Sequence, residues 1–239
     1  MNTKMKVLAL AVLGLVGYAG SAAAGCPSSP VPPWSAVDAL GGTATIVAPG
    51  YATTACHLAS ALTGDATSFA TVEDDTPSAE PRYRAQFIIN ADTLTNLGVV
   101  AAAYVFTATS NAGGAPPVAL SIVGDGTGGH LVSYAVPDSG AAGGADVGSF
   151  ALTAGENHVE FDLDNGSVSG TPHFSIWVNN SVEGSPNFTT TTFNNGGAVI
   201  DTAFLGLAGA TPAYLSSFSG TAVGFDQFDS RRATFIGGF

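Results

Sequence analysis

Residues 157–164, Asn-His-Val-Glu-Phe-Asp-Leu-Asp, alternate apolar and polar side chains with a period of two. This period is typical of a β-strand that has one buried and one polar face. Residues 172–179, Pro-His-Phe-Ser-Ile-Trp-Val-Asn, show the same alternation, and the residues between the two stretches include two glycines. The pattern therefore predicts a β-hairpin. Its core-facing side chains are predicted to be Val159, Phe161, Leu163, Phe174, Ile176 and Val178.

The other face of this hairpin carries three carboxylates, Glu160, Asp162 and Asp164. Carboxylates in pairs serve as acid, base or nucleophile in glycoside hydrolysis, so these three are the candidate catalytic residues. We expect instead an open face on which water screens all three, so that they ionise near their usual pKa values and catalyse nothing. The candidate ligand-binding residues of the hairpin are Trp177, His158 and His173, and the two histidines are placed to face each other across it.

The chain begins with the pattern of an exported protein. Lys4 and Lys6 precede a short apolar run that ends in small residues, so residues 1–24 are predicted to be a secretory signal peptide. The mature protein is then extracellular or periplasmic, and not an integral membrane protein. A membrane anchor at this segment and a lipid-modified Cys26 are the alternatives.

The composition is acidic but sparsely charged. Eighteen acidic residues against six lysines and arginines give a formal charge of −12, and charged residues make up 10% of the chain. A basic footprint is required for nucleic-acid binding, so this function is excluded. The 31 glycines and 13 prolines are typical of an all-β protein with short strands and frequent turns.

The two cysteines, Cys26 and Cys56, both follow the predicted signal peptide. An even pair in an oxidising compartment predicts a disulfide. It would close a loop of about 30 residues and contribute on the order of 3 kcal/mol. The bridge would attach a proline-rich lead-in, residues 25–50, to a single β-domain over residues 51–239.

Short β-patterned stretches fill the rest of the chain, and no amphipathic helix is predicted. Strands are expected at residues 69–72, 82–89, 99–107, 118–123, 130–136, 149–152, 198–207 and 221–230. About ten to twelve strands in one domain favour a two-sheet antiparallel sandwich of the jelly-roll type.

Four stretches resemble a group of secreted bacterial proteins that have a laminin-G-like, concanavalin A-like jelly roll. Residues 72–87 are similar to the opening of that family, and the hairpin is similar to its HxVELD…W-V-D-G motif. Residues 204–207 and 220–232 resemble its RLG and G-x-x-x-x-D-x-F-x-S-x-R strands. The resemblance implies this fold from about Cys56 to Arg232. It implies no single chemistry, because the superfamily includes lectins, adhesion modules, glycosidases and lyases.

Laminarinase-type glucanases on a similar jelly roll carry Glu-x-Asp-x-Glu, in which the outer glutamates are the nucleophile and the acid/base. Glu160, Asp162 and Asp164 stand at the corresponding positions, and Asp164 is one methylene shorter than glutamate. A retaining pair needs its carboxyl groups roughly 5–5.5 Å apart. Residues i and i+4 on a strand lie about 13 Å apart at Cα, so only side chains that lean towards each other close this gap.

Acidic residues also gather in two other places. The candidate Ca²⁺ ligands are Asp74, Asp75, Glu80, Asp226 and Asp229. Calcium prefers such oxygen ligands, but turns in which the side chain caps the backbone explain the same residues equally well. No cofactor is predicted, and Ca²⁺ is the one candidate.

The arginines occur as two doublets, Arg82 with Arg84 and Arg231 with Arg232. Each doublet lies near acidic residues in sequence, so cross-strand ion pairs are predicted if the first and last strands of the domain pair. Capture of an anionic ligand is the alternative.

These patterns together favour a secreted, non-catalytic module that recognises carbohydrate or adheres to a cell-surface ligand. One alternative is a polysaccharide-active glycosidase or lyase on the same fold. A second is a structural component of the cell surface or of an extracellular assembly.

Overall fold

The computed structural model describes residues 26–27, 29–31, 33–138, 144–191 and 194–237. The predicted signal peptide, residues 1–24, lies outside these ranges. No helix within them has the length and apolar character needed to cross a membrane.

Within the described ranges, fourteen β-strands form two antiparallel sheets of seven strands each. The strands are β1 (Ala36–Leu40), β2 (Gly42–Val47), β3 (His57–Leu62), β4 (Phe69–Asp74), β5 (Arg82–Asn90), β6 (Ala102–Thr109), β7 (Ala119–Gly124), β8 (His130–Pro137), β9 (Ala145–Ala151), β10 (Asn157–Asp164), β11 (His173–Val178), β12 (Phe188–Thr190), β13 (Thr202–Ala208) and β14 (Val223–Arg231). The helix α1 (Pro212–Phe218) joins β13 to β14.

The first sheet has the strand order β1-β4-β13-β6-β7-β8-β9, and the second has the order β12-β11-β10-β5-β14-β3-β2. The two sheets pack as a jelly-roll sandwich, so the predicted fold class is confirmed. The predicted hairpin is β10–β11, and its strand β10 also pairs with β5.

The core lies between the sheets and includes the apolar side of the hairpin. Each of the six residues predicted to face inward is no more than 5% exposed. Phe161 lies opposite Ile176 of β11 and Ala85 of β5, and its ring contacts Phe106 of the first sheet at a centroid distance of 5.0 Å. The predicted inward face is therefore confirmed.

Two strands lie in the segment that we expected to be a proline-rich lead-in. β1 pairs with β4 and β2 pairs with β3, so this segment contributes one strand to each sheet. Both strands consist mostly of small or half-buried residues, and Ala44 is the one residue among them that is buried. Such strands show little alternation of large apolar side chains, which is the pattern that identifies a strand in sequence.

The helix α1 was also not predicted, because the sequence was searched for an amphipathic helix and none was expected. Thr211 caps its first turn by accepting a hydrogen bond from the Tyr214 backbone N–H at 3.3 Å, and Pro212 begins the helix. Only Tyr214 and Phe218 are buried. Seven residues with two buried positions are too few to show an amphipathic period.

The predicted disulfide between Cys26 and Cys56 is confirmed, with a Cα–Cα distance of 5.7 Å. It attaches the residues before β1 to the start of β3. We call the described residues before β1 the N-terminal arm; it includes Trp34, whose ring lies 4.8 Å from the ring of Phe228 on β14.

β14 contains a β-bulge at Gln227. Asp226 lies opposite Ile88 of β5, whereas Asp229 lies opposite Gln86, so β14 has one residue more than β5 between these positions. Gln227 has a φ of 51°, and its side-chain amide donates a hydrogen bond to the Ala52 carbonyl at 3.0 Å. The extra residue allows two aromatic residues that are three positions apart, Phe225 and Phe228, both to pack against the core.

Candidate functional site

The three carboxylates of β10 lie on the side of the second sheet that faces away from the core, but this side is closed. Glu160, Asp162 and Asp164 are 0, 2 and 0% exposed. The expectation of an open face screened by water is therefore wrong. Three segments of the chain cover these carboxylates, which we call the carboxylate row: the loop after β10, the loop after β11, and the residues after β14.

Residues 232–237, which we call the C-terminal segment, cover Glu160. The backbone N–H groups of Ile236 and Gly237 each donate a hydrogen bond of 3.0 Å to the Glu160 carboxylate, one to each oxygen. The ring of Phe235 packs on the ring of Trp177 at 5.4 Å. Burial raises the pKa of Glu160, although the two backbone donors and the charge of Arg84 oppose this effect.

Arg84 on β5 is buried and joins two carboxylates of the row. Its Nε lies 3.3 Å from Glu160 Oε1, and its Nη2 lies 3.4 Å from Asp162 Oδ2. The contact to Glu160 is an ion pair without the alignment of a hydrogen bond. Its guanidinium also stacks on the Trp177 ring, 4.9 Å from the centroid, and its Nη1 reaches Glu183 at 3.3 Å.

Asp162 is bound from two sides. Arg82 donates two hydrogen bonds to its carboxylate, at 3.1 and 2.7 Å, and His173 Nε2 lies 3.2 Å from Oδ2. Burial by itself would raise the pKa of Asp162, but the hydrogen bonds from His173 and Arg82 and the charges of Arg84 and Arg82 lower this pKa to about 2. The hydrogen bond to Asp162 in turn raises the pKa of His173. Asp162 is therefore ionised and ion-paired at neutral pH.

Asp164 closes the hairpin loop. Its Oδ1 accepts a hydrogen bond from the Gly166 N–H at 2.7 Å, and its Oδ2 accepts one from the Ser169 N–H at 3.1 Å. Gly166 has a φ of 90°, which glycine adopts without steric cost. These bonds form a turn capped by an aspartate side chain, so the contacts of Asp164 are those of a structural residue.

The structure does not bring together the three candidate ligand-binding residues of the hairpin. His158 lies near the start of β10 and His173 at the start of β11, so the two histidines are at opposite ends of the hairpin and do not face each other. His158 Nε2 contacts Gln86 Oε1 at 2.9 Å, and burial lowers the pKa of His158. Trp177 is 3% exposed, and its indole N–H donates to the Val182 carbonyl at 3.1 Å.

The four arginines form ion pairs, though not all with the predicted partners. β14 pairs with β5, as expected for the last and an early strand. Arg82 and Arg84, however, pair with carboxylates of β10 rather than with the acidic residues that precede β5, because β10 is the other neighbour of β5 in the sheet. Arg231 pairs at 2.9 Å with Asp229 of its own strand rather than across strands, whereas Arg232, just after β14, pairs at 2.8 Å with Glu80, which precedes β5.

The five carboxylates proposed as calcium ligands make separate local contacts. Asp74 accepts from Thr76, Asp75 accepts from the Ser35 hydroxyl, and Asp226 accepts from Tyr51 and Thr54, while Glu80 and Asp229 pair with Arg232 and Arg231. Within the described ranges, no three histidine, cysteine or acidic residues are grouped so that they could hold a metal ion.

A cavity of about 530 Å³ lies between the N-terminal arm and the bulged strand β14. The Trp34 and Phe228 rings form its aromatic part, inclined at 44° to each other. Its polar part includes His57, Asp74, Asp226, Gln227, Asp229 and Ser230. The sequence did not point to this cavity, because its walls come from residues that are up to about two hundred positions apart. The available signals were Trp34, a large aromatic residue in an arm that the predicted disulfide fixes in place, and the carboxylates Asp74, Asp226 and Asp229, which were grouped as calcium ligands.

The cavity wall carries uncompensated negative charge. Asp74 and Asp226 form no ion pair with any described residue, whereas the charge of Asp229 is balanced by Arg231. Asp226 accepts a hydrogen bond of 2.7 Å from the Tyr51 N–H. The described residues that line the cavity include neither lysine nor arginine.

No family model and no curated protein matches the sequence. Among solved structures, the chain is similar to an alginate lyase from Alteromonas sp. 272, with a TM-score of 0.46 and 10% identity over 83% of this chain and 94% of that one. It is also similar to alginate lyase PA1167 from Pseudomonas aeruginosa, with a TM-score of 0.46 and 12% identity over 73% of this chain and 83% of that one. The binding domain of botulinum neurotoxin serotype C1 gives a TM-score of 0.47 and 10% identity over 79% of this chain. This chain spans 42% of the neurotoxin chain.

Proposed function

We propose that the protein is a secreted, non-catalytic module of the laminin-G-like type that recognises carbohydrate through the cavity beside its N-terminal arm. One contrast supports this function. The carboxylate row of β10 is saturated by the protein's own donors, whereas the cavity is open and retains two carboxylates without ion-pair partners.

A glycosidase needs one carboxyl group that holds a proton and a second that attacks or activates water. Asp162 is held ionised by Arg82 and His173, and Asp164 is occupied by the hairpin loop. Glu160 is covered by the C-terminal segment, so a sugar would have to displace this segment to reach it. The contacts of the row therefore favour a structural role over catalysis.

The cavity has the features of a small-ligand site. Such sites are roughly 300–1,000 Å³ and combine an apolar lining with a few convergent polar groups. A sugar presents C–H faces that can pack on an aromatic ring and hydroxyl groups that can donate to a carboxylate. Trp34 supplies the ring, and Asp74 and Asp226 supply the acceptors.

The mature protein should be tested for binding to a panel of glycans, with Trp34→Ala as the test variant. Tyr104→Ala is the matched control, because Tyr104 is an exposed aromatic residue of the first sheet that does not line the cavity. We expect a glycan that binds the wild type and Tyr104→Ala but not Trp34→Ala. Absence of glycan binding, or binding that is insensitive to Trp34, would contradict the proposal.

The same preparations distinguish the enzyme alternative. If the wild type cleaves a polysaccharide and Glu160→Gln, folded by circular dichroism, does not, then the β10 carboxylates are catalytic and the protein is a polysaccharide-active enzyme. We expect no cleavage by either protein.

A further inference from the structure

We infer that the cavity selects a carbohydrate that carries a primary ammonium group, that is, an amino sugar, through Asp74 and Asp226 and the rings beside them. This inference rests on the proposed carbohydrate-binding function and adds the chemical class of the sugar.

The charge of the cavity is the first reason. Asp74 and Asp226 place two negative charges in its wall that no described lysine or arginine balances. An anionic sugar would be repelled there, and a neutral sugar would leave both charges uncompensated. An ammonium group would instead form charge-assisted hydrogen bonds, which are roughly twice as strong as those between neutral groups.

No arginine of the described residues is available to balance these two carboxylates. All four arginines in the described part of the chain already form ion pairs, namely Arg82, Arg84, Arg231 and Arg232. None of them lines the cavity. An external ammonium group would therefore displace no arginine from Asp74 or Asp226.

The aromatic rings are the second reason. The face of a tryptophan attracts an ammonium group that lies within about 6 Å of its centroid, in addition to packing against the ring of a sugar. The Trp34 and Phe228 rings lie 4.8 Å apart and line the same cavity as the two carboxylates. One ligand can thus contact both an aromatic face and a carboxylate.

The two carboxylates are held in place before any ligand arrives. Asp226 accepts from the N–H groups of Tyr51 and Gln227, at 2.7 and 2.8 Å. Asp74 Oδ1 accepts from the Thr76 N–H at 3.0 Å, while its Oδ2 has only a long contact of 3.5 Å to the Ser230 hydroxyl. A carboxylate has about four acceptor positions, so Asp74 in particular retains capacity for a ligand. Preorganised acceptors lose little freedom on binding, which favours affinity.

Tryptophan fluorescence offers a direct test, because Trp177 is 3% exposed and Trp34 lies in the cavity. The probe is a tetramer of β-1,4-linked glucosamine, and the matched ligand is its N-acetylated form, which has the same backbone without the charge. Binding should be measured below about pH 6, where an amine with a pKa similar to that of an α-amino group is protonated. We expect the glucosamine tetramer to bind about tenfold more tightly than the acetylated one, with a difference that shrinks at high salt.

Asp74→Asn and Asp226→Asn should each remove most of this difference. Asp65→Asn is the matched control, because Asp65 is an exposed carboxylate that caps a local turn and does not line the cavity. If Asp226→Asn does not fold, because its contact to Tyr51 is lost, Asp74→Asn carries the test.

The outcomes distinguish two claims: that the cavity binds carbohydrate, and that it selects an amino sugar. Equal binding of both tetramers would refute the selection of an amino sugar and leave carbohydrate recognition in place. Tighter binding of a uronate oligomer would also refute it. Binding of an oligolysine peptide as tightly as the glucosamine tetramer, through the same aspartates, would assign the cavity to a protein ligand. Binding of no glycan at all would refute both claims.

Discussion

Arg84→Met tests whether the β10 carboxylates form a buried network. Methionine matches the aliphatic part of the arginine side chain and has no charge, so the substitution leaves Glu160 and Asp162 without the guanidinium that lies 3.3 and 3.4 Å from them. Removal of one partner from a buried ion pair costs roughly 3–5 kcal/mol. Glu160 keeps two backbone donors and Asp162 keeps its arginine and histidine partners, so we expect a loss near the lower limit, about 3 kcal/mol at about pH 7.

The free energy of unfolding can be measured by urea titration with tryptophan fluorescence. Arg231→Met is the matched control, because its side chain is 41% exposed and pairs with Asp229, which is 40% exposed. An exposed pair of this kind contributes about 0–1 kcal/mol. The double variant Arg84→Met/Glu160→Gln should recover part of the loss, because it removes the charge of Glu160, whose ion pair with Arg84 is lost.

The effect of Arg84→Met should also depend on pH. Burial already raises the pKa of Glu160, and loss of the arginine charge will raise it further, so the variant takes up a proton more readily on mild acidification. The destabilisation should therefore be smaller at about pH 5 than at about pH 7. A loss below about 1 kcal/mol at both pH values, equal to that of Arg231→Met, would refute the buried network.

Three further predictions concern acid stability, the C-terminal segment and the core. The lowered pKa of Asp162, about 2 against an ordinary 3.8, stabilises the fold above the ordinary value, and this stability, about 2 kcal/mol, is lost as the pH falls from about 4 to about 2. Asp162→Asn should flatten this part of the curve of stability against pH; an unchanged slope would show that the carboxyl group is not responsible. Truncation after residue 231 should expose Trp177, so its emission should shift to longer wavelength and be quenched by acrylamide; spectra identical to the full chain would show that residues 232–237 do not cover it. Phe161→Ala should cost roughly 3–5 kcal/mol, whereas Val147→Ala, at an exposed position, should change stability by about 0.5 kcal/mol or less; similar effects of the two would contradict the assigned core.

The sequence was sufficient to predict the hairpin, its inward face and the disulfide. Alternation with period two determines which side chains of a strand share a face, and Phe161 and Ile176 lie on the predicted face directly opposite each other. It was not sufficient to predict that the other face is buried. The groups that cover Glu160 are the backbone N–H groups of Ile236 and Gly237, and every non-proline residue has such a group. No side-chain pattern therefore marks this contact in sequence.

The cavity could not be predicted for a related reason. Trp34 belongs to the N-terminal arm, and Asp74 and Asp226 belong to strands of different sheets, so only the fold brings the three residues to one cavity. The sequence-based search for calcium ligands named Asp74 and Asp226, which the structure places in the cavity lining. It grouped them with residues whose carboxylates are engaged elsewhere, such as Glu80, which pairs with Arg232.

The bulge at Gln227 changes which positions of β14 face the core. Core-facing positions are odd-numbered up to Phe225 and even-numbered from Phe228 onward. Deletion of one residue here would restore regular alternation along the strand. Either Phe225 or Phe228 would then face away from the core, and the carboxylate next to it would face the core. An alignment of this strand with another protein that places no gap at Gln227 would assign half of its side chains to the wrong face. The last strand should therefore be compared with other sequences as two separate segments, joined at the bulge.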